Sequence, residues 1–247
     1  MNTEVGLDRC LAFIRSHLHP ANAVVPAGEP RWRTVTISRQ AGSGGHAVAE
    51  MLATFLQAQE PADANRHWSI FDRNLVERVL EEHRLPHHLV RFMPEDRISE
   101  INDVLDELFG LHPPSLTLVE KTAETILRLA KLGNVILLGR GANVVTRKLD
   151  YAFHVRLIGS WDRRVEYVQR TQGLEKKAAT ELVDREDLGR WRYLRKYYGE
   201  DINDPLLYHL VVNTDLMEPQ QVAMMIAQVM LSKHTGATQL NSGVVGS

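Results

Sequence analysis

"TISRQAGSGGHAVAEMLA", residues 36–53, decides how the rest of the chain is read. Thr36, Ile37 and Ser38 close a β-branched run that begins at Thr34. Four small residues, Gly42-Ser43-Gly44-Gly45, interrupt it, and Val48, Leu52 and Leu56 then recur at helical spacing. A strand, a glycine turn and a helix in that order open a crossover in a parallel sheet. Such a turn aims successive backbone N–H groups at one point, and the helix N-terminus adds partial positive charge there. Glycine permits the unusual dihedrals and the close approach of a ligand. Gly42, Ser43, Gly44, Gly45, His46 and Ala47 are therefore candidates for holding phosphate. The pattern G-x-x-x-x-G-K-[ST] is not met. With Gly44 on its second glycine, Arg39 falls on the first, Gly45 on the lysine and His46 on the Ser/Thr that would touch magnesium. An ordinary strand–helix turn is the competing reading. A cation one turn away, Arg39 or His46, would have to stand in for the lysine, although a planar guanidinium is not equivalent to a compact ammonium.

Outward from this turn, short apolar runs appear at 68–71, 135–139, 153–158 and 210–213, separated by helical patterns. Parallel strands need long crossovers, so this alternation predicts an α/β fold: a three-layer parallel sheet of about five strands with helices on both faces. Residues 72–134 read as a helical insertion over one end of the sheet, interrupted at Pro86, Pro94 and Pro113-Pro114. Residues 7–18 carry an amphipathic pattern, and "HPANAVVPAGEP" after them reads as a linker, so 1–30 form an N-terminal helix and linker. The main domain is expected over 31–235, with a lid region over 160–200 and a flexible tail over 236–247.

Composition narrows the function classes. The 247 residues, 44% of them hydrophobic, suffice for one sizeable core. A net charge of −2 gives no general pull on nucleic acid or on an anionic membrane. The single cysteine, Cys10, excludes an intrachain disulfide and fits a reducing compartment. The N-terminal residues contain acids and no long apolar run, so neither a signal peptide nor a spanning helix is expected, and a cytoplasmic location follows.

Five collinear segments carry a resemblance: the glycine-turn stretch, "FDRNLVERV" (71–79), "ILLGRGANVV" (136–145), "HVRLIGSWDRRVEYVQR" (154–170) and "YYGEDINDPLLYHLVVNTDLM" (197–217). Together they resemble the cytidylate-kinase-like family, in the nucleoside monophosphate kinase branch of the P-loop NTPases. That family commonly shows a Ser-Arg-x-x-Gly-Ser-Gly-Gly loop without the lysine, as Ser38–Gly45 does here. The resemblance implies ATP-dependent phosphoryl transfer, with Mg2+, to a nucleoside monophosphate. It implies that Asp72 and Arg78, six apart, serve the acceptor, and that Arg140 of Gly139-Arg140-Gly141 binds its phosphate. Asp187 would orient the acceptor ribose, and Arg190 of Asp187-Leu188-Gly189-Arg190 would act with Arg39 and Arg140 in catalysis. Two positions depart from the family: Gly141 replaces the aspartate that reads the base, and Val183 replaces a lid arginine.

Several features have a plainer explanation. Arg140 follows a buried-looking strand whose C-terminal end is where ligands sit in open α/β sheets, yet it could equally cap the strand. Asp72 and Arg73 could form a local ion pair of little worth. "DREDLGRWRYLRKYYG" (184–199) reads as a solvated charged helix face, as a mobile lid, or as an aromatic-basic surface for single strands. Of Arg163, Arg164 and Arg170, at least one is solvent decoration. His83, His87 and His88 lack partners at ligand spacing, so no metal site is expected. Nucleotide substrates are the expected partners, with no membrane and with nucleic acid disfavoured by charge. Three other functions stay open: a nucleotide-binding regulatory module with little turnover, a kinase for a non-nucleotide small molecule, and an interaction domain.

Overall fold

The structure, a computed structural model, describes residues 32–61, 67–72 and 116–232. Five strands form a wholly parallel sheet: β1 Thr34–Arg39, β2 Ser69–Phe71, β3 Val135–Leu138, β4 Ala152–Ile158 and β5 Leu210–Asn213. Their order is β2-β3-β1-β4-β5. Six α-helices accompany them among the described residues: α1 Gly45–Gln57, α2 Leu116–Leu132, α3 Ala142–Val145, α4 Trp161–Gln172, α5 Lys176–Tyr198 and α6 Pro219–Leu231. The three-layer parallel α/β fold read from the sequence is what is found. The short α3 is an addition, too brief for periodicity to reveal.

Alternation along the strands builds two different faces. Val35, Ile37, Val155 and Leu157 are fully buried against α1 and α6, whose Val48, Leu52, Val222 and Ile226 complete the larger core. The opposite face is apolar at one end, where Val135, Leu137 and Phe71 meet Ile126 and Ala130 of α2. Near β1 and β4 that face turns polar: Thr36, Ser38, His154 and Arg156 are all buried. Thr36 Oγ1 lies 2.9 Å from His154 Nδ1, and Arg156 donates to Ser38 Oγ at 2.9 Å. The polar side chains pair across the ladder, as burial requires.

The topology fixes where a ligand can sit. The chain leaving β1 runs toward β2, whereas the chain leaving β3 crosses to β4 on the other side of β1. Open sheets bind ligands at the carboxyl ends of strands where direction reverses in this way. The glycine turn lies at that point. Residues 1–31, 62–66, 73–115 and 233–247 lie outside the described residues, and with them the expected N-terminal helix and linker, Arg73, Arg78, the three clustered histidines, most of the helical insertion and the tail. Among the described residues no helix is long and apolar enough to cross a membrane.

Candidate active site

The loop holds its own shape. Gln40 carbonyl accepts from the Ser43 amide at 3.3 Å and from Ser43 Oγ at 2.9 Å, which uses up the serine hydroxyl as a donor. Gly42 and Gly44 both take left-handed dihedrals, φ 77° and 75°. A Cβ on Gly42 would overlap the Arg164 carbonyl oxygen, with the carbonyl carbon only 2.8 Å away. Among the described residues no side chain caps the helix that starts at Gly45. The amides of Gly45, His46 and Ala47 open α1 and have no acceptor within the helix. Uncapped, clustered and backed by the helix dipole, they are arranged for an anion.

Three arginines surround this point. Arg39, at the end of β1, packs its guanidinium against Gly139, where any side chain would collide with Arg39 Nη1. Burial lowers the Arg39 pKa to about 10, with further lowering from Arg190 and Arg140 against the opposing pull of Glu186 and Asp72. The group stays charged at neutral pH, and the repulsion shows that three guanidiniums share one region. Arg140 sits in a run of three left-handed residues, Gly139 φ 89°, Arg140 φ 60° and Gly141 φ 66°. A non-glycine residue held there stores strain, and such strain concentrates at functional positions. Arg190 pairs with Glu186 and, at 3.3 Å, with Asp187 on the same face of α5. His46, at the first turn of α1, lies 3.5 Å from Asp72 at the end of β2.

Asp187 is tied to the loop backbone and to a neighbouring helix. Its Oδ1 accepts from the Ala41 amide at 2.7 Å, and its Oδ2 pairs with Arg164 at 2.6 Å. Arg164, buried in α4, also donates to the carbonyls of Ala41 at 2.9 Å and Gly159 at 3.0 Å. The pair clasps α4 and α5 to the loop. Arg163 and Arg170, by contrast, are exposed, as are Arg185, Arg192, Arg195 and Lys196 of α5. Most of the basic stretch is therefore solvated surface, and Arg190 is the member facing the loop. Sequence reasoning missed the clasp and the buried Arg156. The Asp187–Arg190 spacing pointed at α5 but could not reach across to α4.

A lysine-free glycine loop at the switch point of a five-stranded parallel sheet, with arginines from several strand ends, defines the class: a P-loop α/β protein like the nucleoside monophosphate kinases. Residues 34–216 match the cytidylate kinase-like family, and the chain belongs to it. The cytidylate kinase of Ignicoccus hospitalis is 28% identical over 199 residues, which cover 80% of this chain and 98% of that one. That of Pyrococcus horikoshii is 29% identical over 152 residues, 60% of this chain and 76% of the relative. The match to the Thermoplasma volcanium cytidylate kinase, 31% identical over 94 residues, spans 38% of this chain and half of that relative. A crystal structure of a Eubacterium ventriosum protein shares the fold with a TM-score of 0.57 at 17% identity, covering 80% of this chain and 97% of that one.

Proposed function

We propose that this protein transfers the γ-phosphoryl group of ATP to a nucleoside monophosphate or a similar small phosphorylated acceptor. The observation that carries the reading is the convergence of Arg39, Arg140 and Arg190 on an uncapped helix start. Loop amides from Gly42 to Ala47 would hold the donor phosphates. Arg39 supplies the charge that a loop lysine brings elsewhere, from the strand rather than from the helix. Arg78 and Arg140 would grip the acceptor phosphate, with Asp72 at the edge of the acceptor site, and Arg190 would stabilise charge on the transferring oxygens. Phosphoryl transfer has a loose transition state, so positioning and electrostatics do most of the work.

Magnesium, when bound to donor phosphates, neutralises their charge. The residues fit it: the Asp72 carboxylate and the His46 imidazole stand together beside the helix start and would hold the ion's water shell. Asp187 would reach an acceptor ribose only by exchanging a bond with Ala41 or Arg164. Its part in the reaction is thereby coupled to the position of α5. That coupling also favours a second reading, a nucleotide-binding module with little turnover.

The test is incubation with Mg-ATP and a panel of ribo- and deoxyribonucleoside monophosphates, read as diphosphate formed. At least one acceptor should turn over, and Arg140→Ala should lower kcat/KM by about 100-fold or more. Undiminished turnover in Arg140→Ala removes the acceptor assignment. ATP-dependent thermal stabilisation without any product, against phosphorylated non-nucleotide acceptors as well, leaves the module reading standing in place of the kinase.

A further inference from the structure

Arg156 has no role in the site just described, and its surroundings are unusual. It lies in the middle of β4 with 4% of its surface exposed. Its Nη1 donates to Ser38 Oγ at 2.9 Å and its Nη2 to Asn203 Oδ1 at 3.3 Å, so both partners are neutral. Among the described residues its Nε has no acceptor. A guanidinium has five N–H bonds to satisfy, and a buried cation without a carboxylate is a costly arrangement. Burial lowers its pKa, with the weaker upward pull of Tyr208 and Asp187 set against further lowering by Arg190 and Arg164.

The guanidinium forms part of the wall of a cleft of about 290 Å³ beside β5, lined also by Gln40, Asn203, Tyr208 and Asn213. Among the described residues none of those lining it is acidic. The amide nitrogens of Gln40 and Asn203 are available there, because the Gln40 oxygen accepts from the Gly159 amide and the Asn203 oxygen accepts from Arg156. Tyr208 Oη is fixed by donating to the Ile202 carbonyl at 2.9 Å. The wall thus offers a cation and neutral donors on a rigid frame. A neighbouring hollow of about 300 Å³ shares Gln40, Arg156 and Asn203 and opens toward Arg39, Asp187 and Arg190. The cleft therefore adjoins the glycine loop through Gln40, the residue that holds Ser43.

We propose that this cleft is a second anion site, which binds the phosphoryl group of a small phosphate ester at Arg156, beside the glycine loop. Donors from three directions suit a tetrahedral oxyanion better than a flat carboxylate. The volume has room for a phosphate with a short organic group attached. The inference does not rest on the kinase reading, since a guanidinium bonded only to neutral groups and a cleft lined by no acid among the described residues stand whether or not the loop carries out transfer.

The experiment uses the full chain with the loop first saturated by a non-hydrolysable Mg-ATP analogue, and inorganic phosphate as the calorimetric probe. One phosphate per chain should bind, and crystals soaked in tungstate should show a peak within hydrogen-bonding range of the Arg156 guanidinium. Asn203→Asp places a carboxylate on Arg156 and should weaken phosphate by about tenfold or more while raising Tm. Asn213→Asp changes only the exposed rim and should weaken phosphate without altering the circular dichroism, so a folding defect in the first variant leaves the test intact. Phosphate affinity unaltered by both variants, or tungstate absent from the cleft, overturns the proposal. Displacement of phosphate by equimolar acetate overturns the phosphoryl assignment. If the nucleotide analogue fails to bind while phosphate still does, the loop reading falls and this inference stands.

Discussion

At the scale of single residues, the glycine loop separates two reasons for a glycine. Gly42 and Gly173 both adopt left-handed dihedrals, φ 77° and 67°. Around Gly173 nothing lies within 4 Å of a notional Cβ, whereas at Gly42 that carbon would meet the backbone of Arg164. A side chain can rotate away, but a backbone carbonyl anchored in α4 cannot. Gly173→Ala should therefore cost only the backbone term, about 1 kcal/mol. Gly42→Ala adds the overlap and should cost about 3 kcal/mol or more, with loss of nucleotide binding. Urea denaturation of the two variants measures the difference, and equal costs would show that the loop and α4 are not in firm contact.

At the scale of elements, α4 and α5 are held to the loop by the Arg164–Asp187 pair and its bonds to Ala41. Breaking a buried pair from one side leaves an uncompensated charge on the other. Asp187→Asn keeps an acceptor for the Ala41 amide and removes the charge opposite Arg164. It should cost about 2 kcal/mol, and it should increase amide exchange at the loop more than at the sheet centre. Exchange that rises evenly over the protein would show that the pair stabilises the fold without gripping the loop. This contact also marks where the sequence ceased to be legible. The strands announced themselves as short apolar runs, and α1, α2 and α6 through periodicity, because one face of each of these helices is apolar. The Asp187–Arg190 pair was readable as a three-residue spacing on one helix. Arg164 and Asp187 are 23 positions apart, and only the α4–α5 hairpin brings them together. Arg156 was hidden for a related reason: inside "HVRLI" it reads as one polar residue in a strand, and its lack of an acidic partner is a property of three dimensions.

At the scale of the whole molecule, the sheet has one dry face and one that is polar under α3, and the polar face ties stability to pH. His154 is buried there, bonded to Thr36 Oγ1, with its backbone amide donating to His209 Nδ1 at 2.9 Å and the two rings 4.9 Å apart. Burial, with a smaller push from His209, lowers its pKa from 6.5 to about 4. The folded protein therefore keeps this imidazole neutral at pH values where the unfolded chain protonates it. Between 6.5 and about 4 the unfolded state binds more protons, so stability rises with pH across that window and is lost as pH falls through it. Below about 4 both states are charged, and above 6.5 both are neutral, so the slope from this group disappears at each end. The full difference corresponds to about 3 kcal/mol. His154→Gln retains a hydrogen-bonding group for Thr36 and cannot charge. Its stability should fall less steeply than that of the parent between pH 6.5 and 4.5, with the gap narrowing as acid is added. Parallel stability curves for the two proteins, measured by urea denaturation at each pH, would assign the acid sensitivity to other groups.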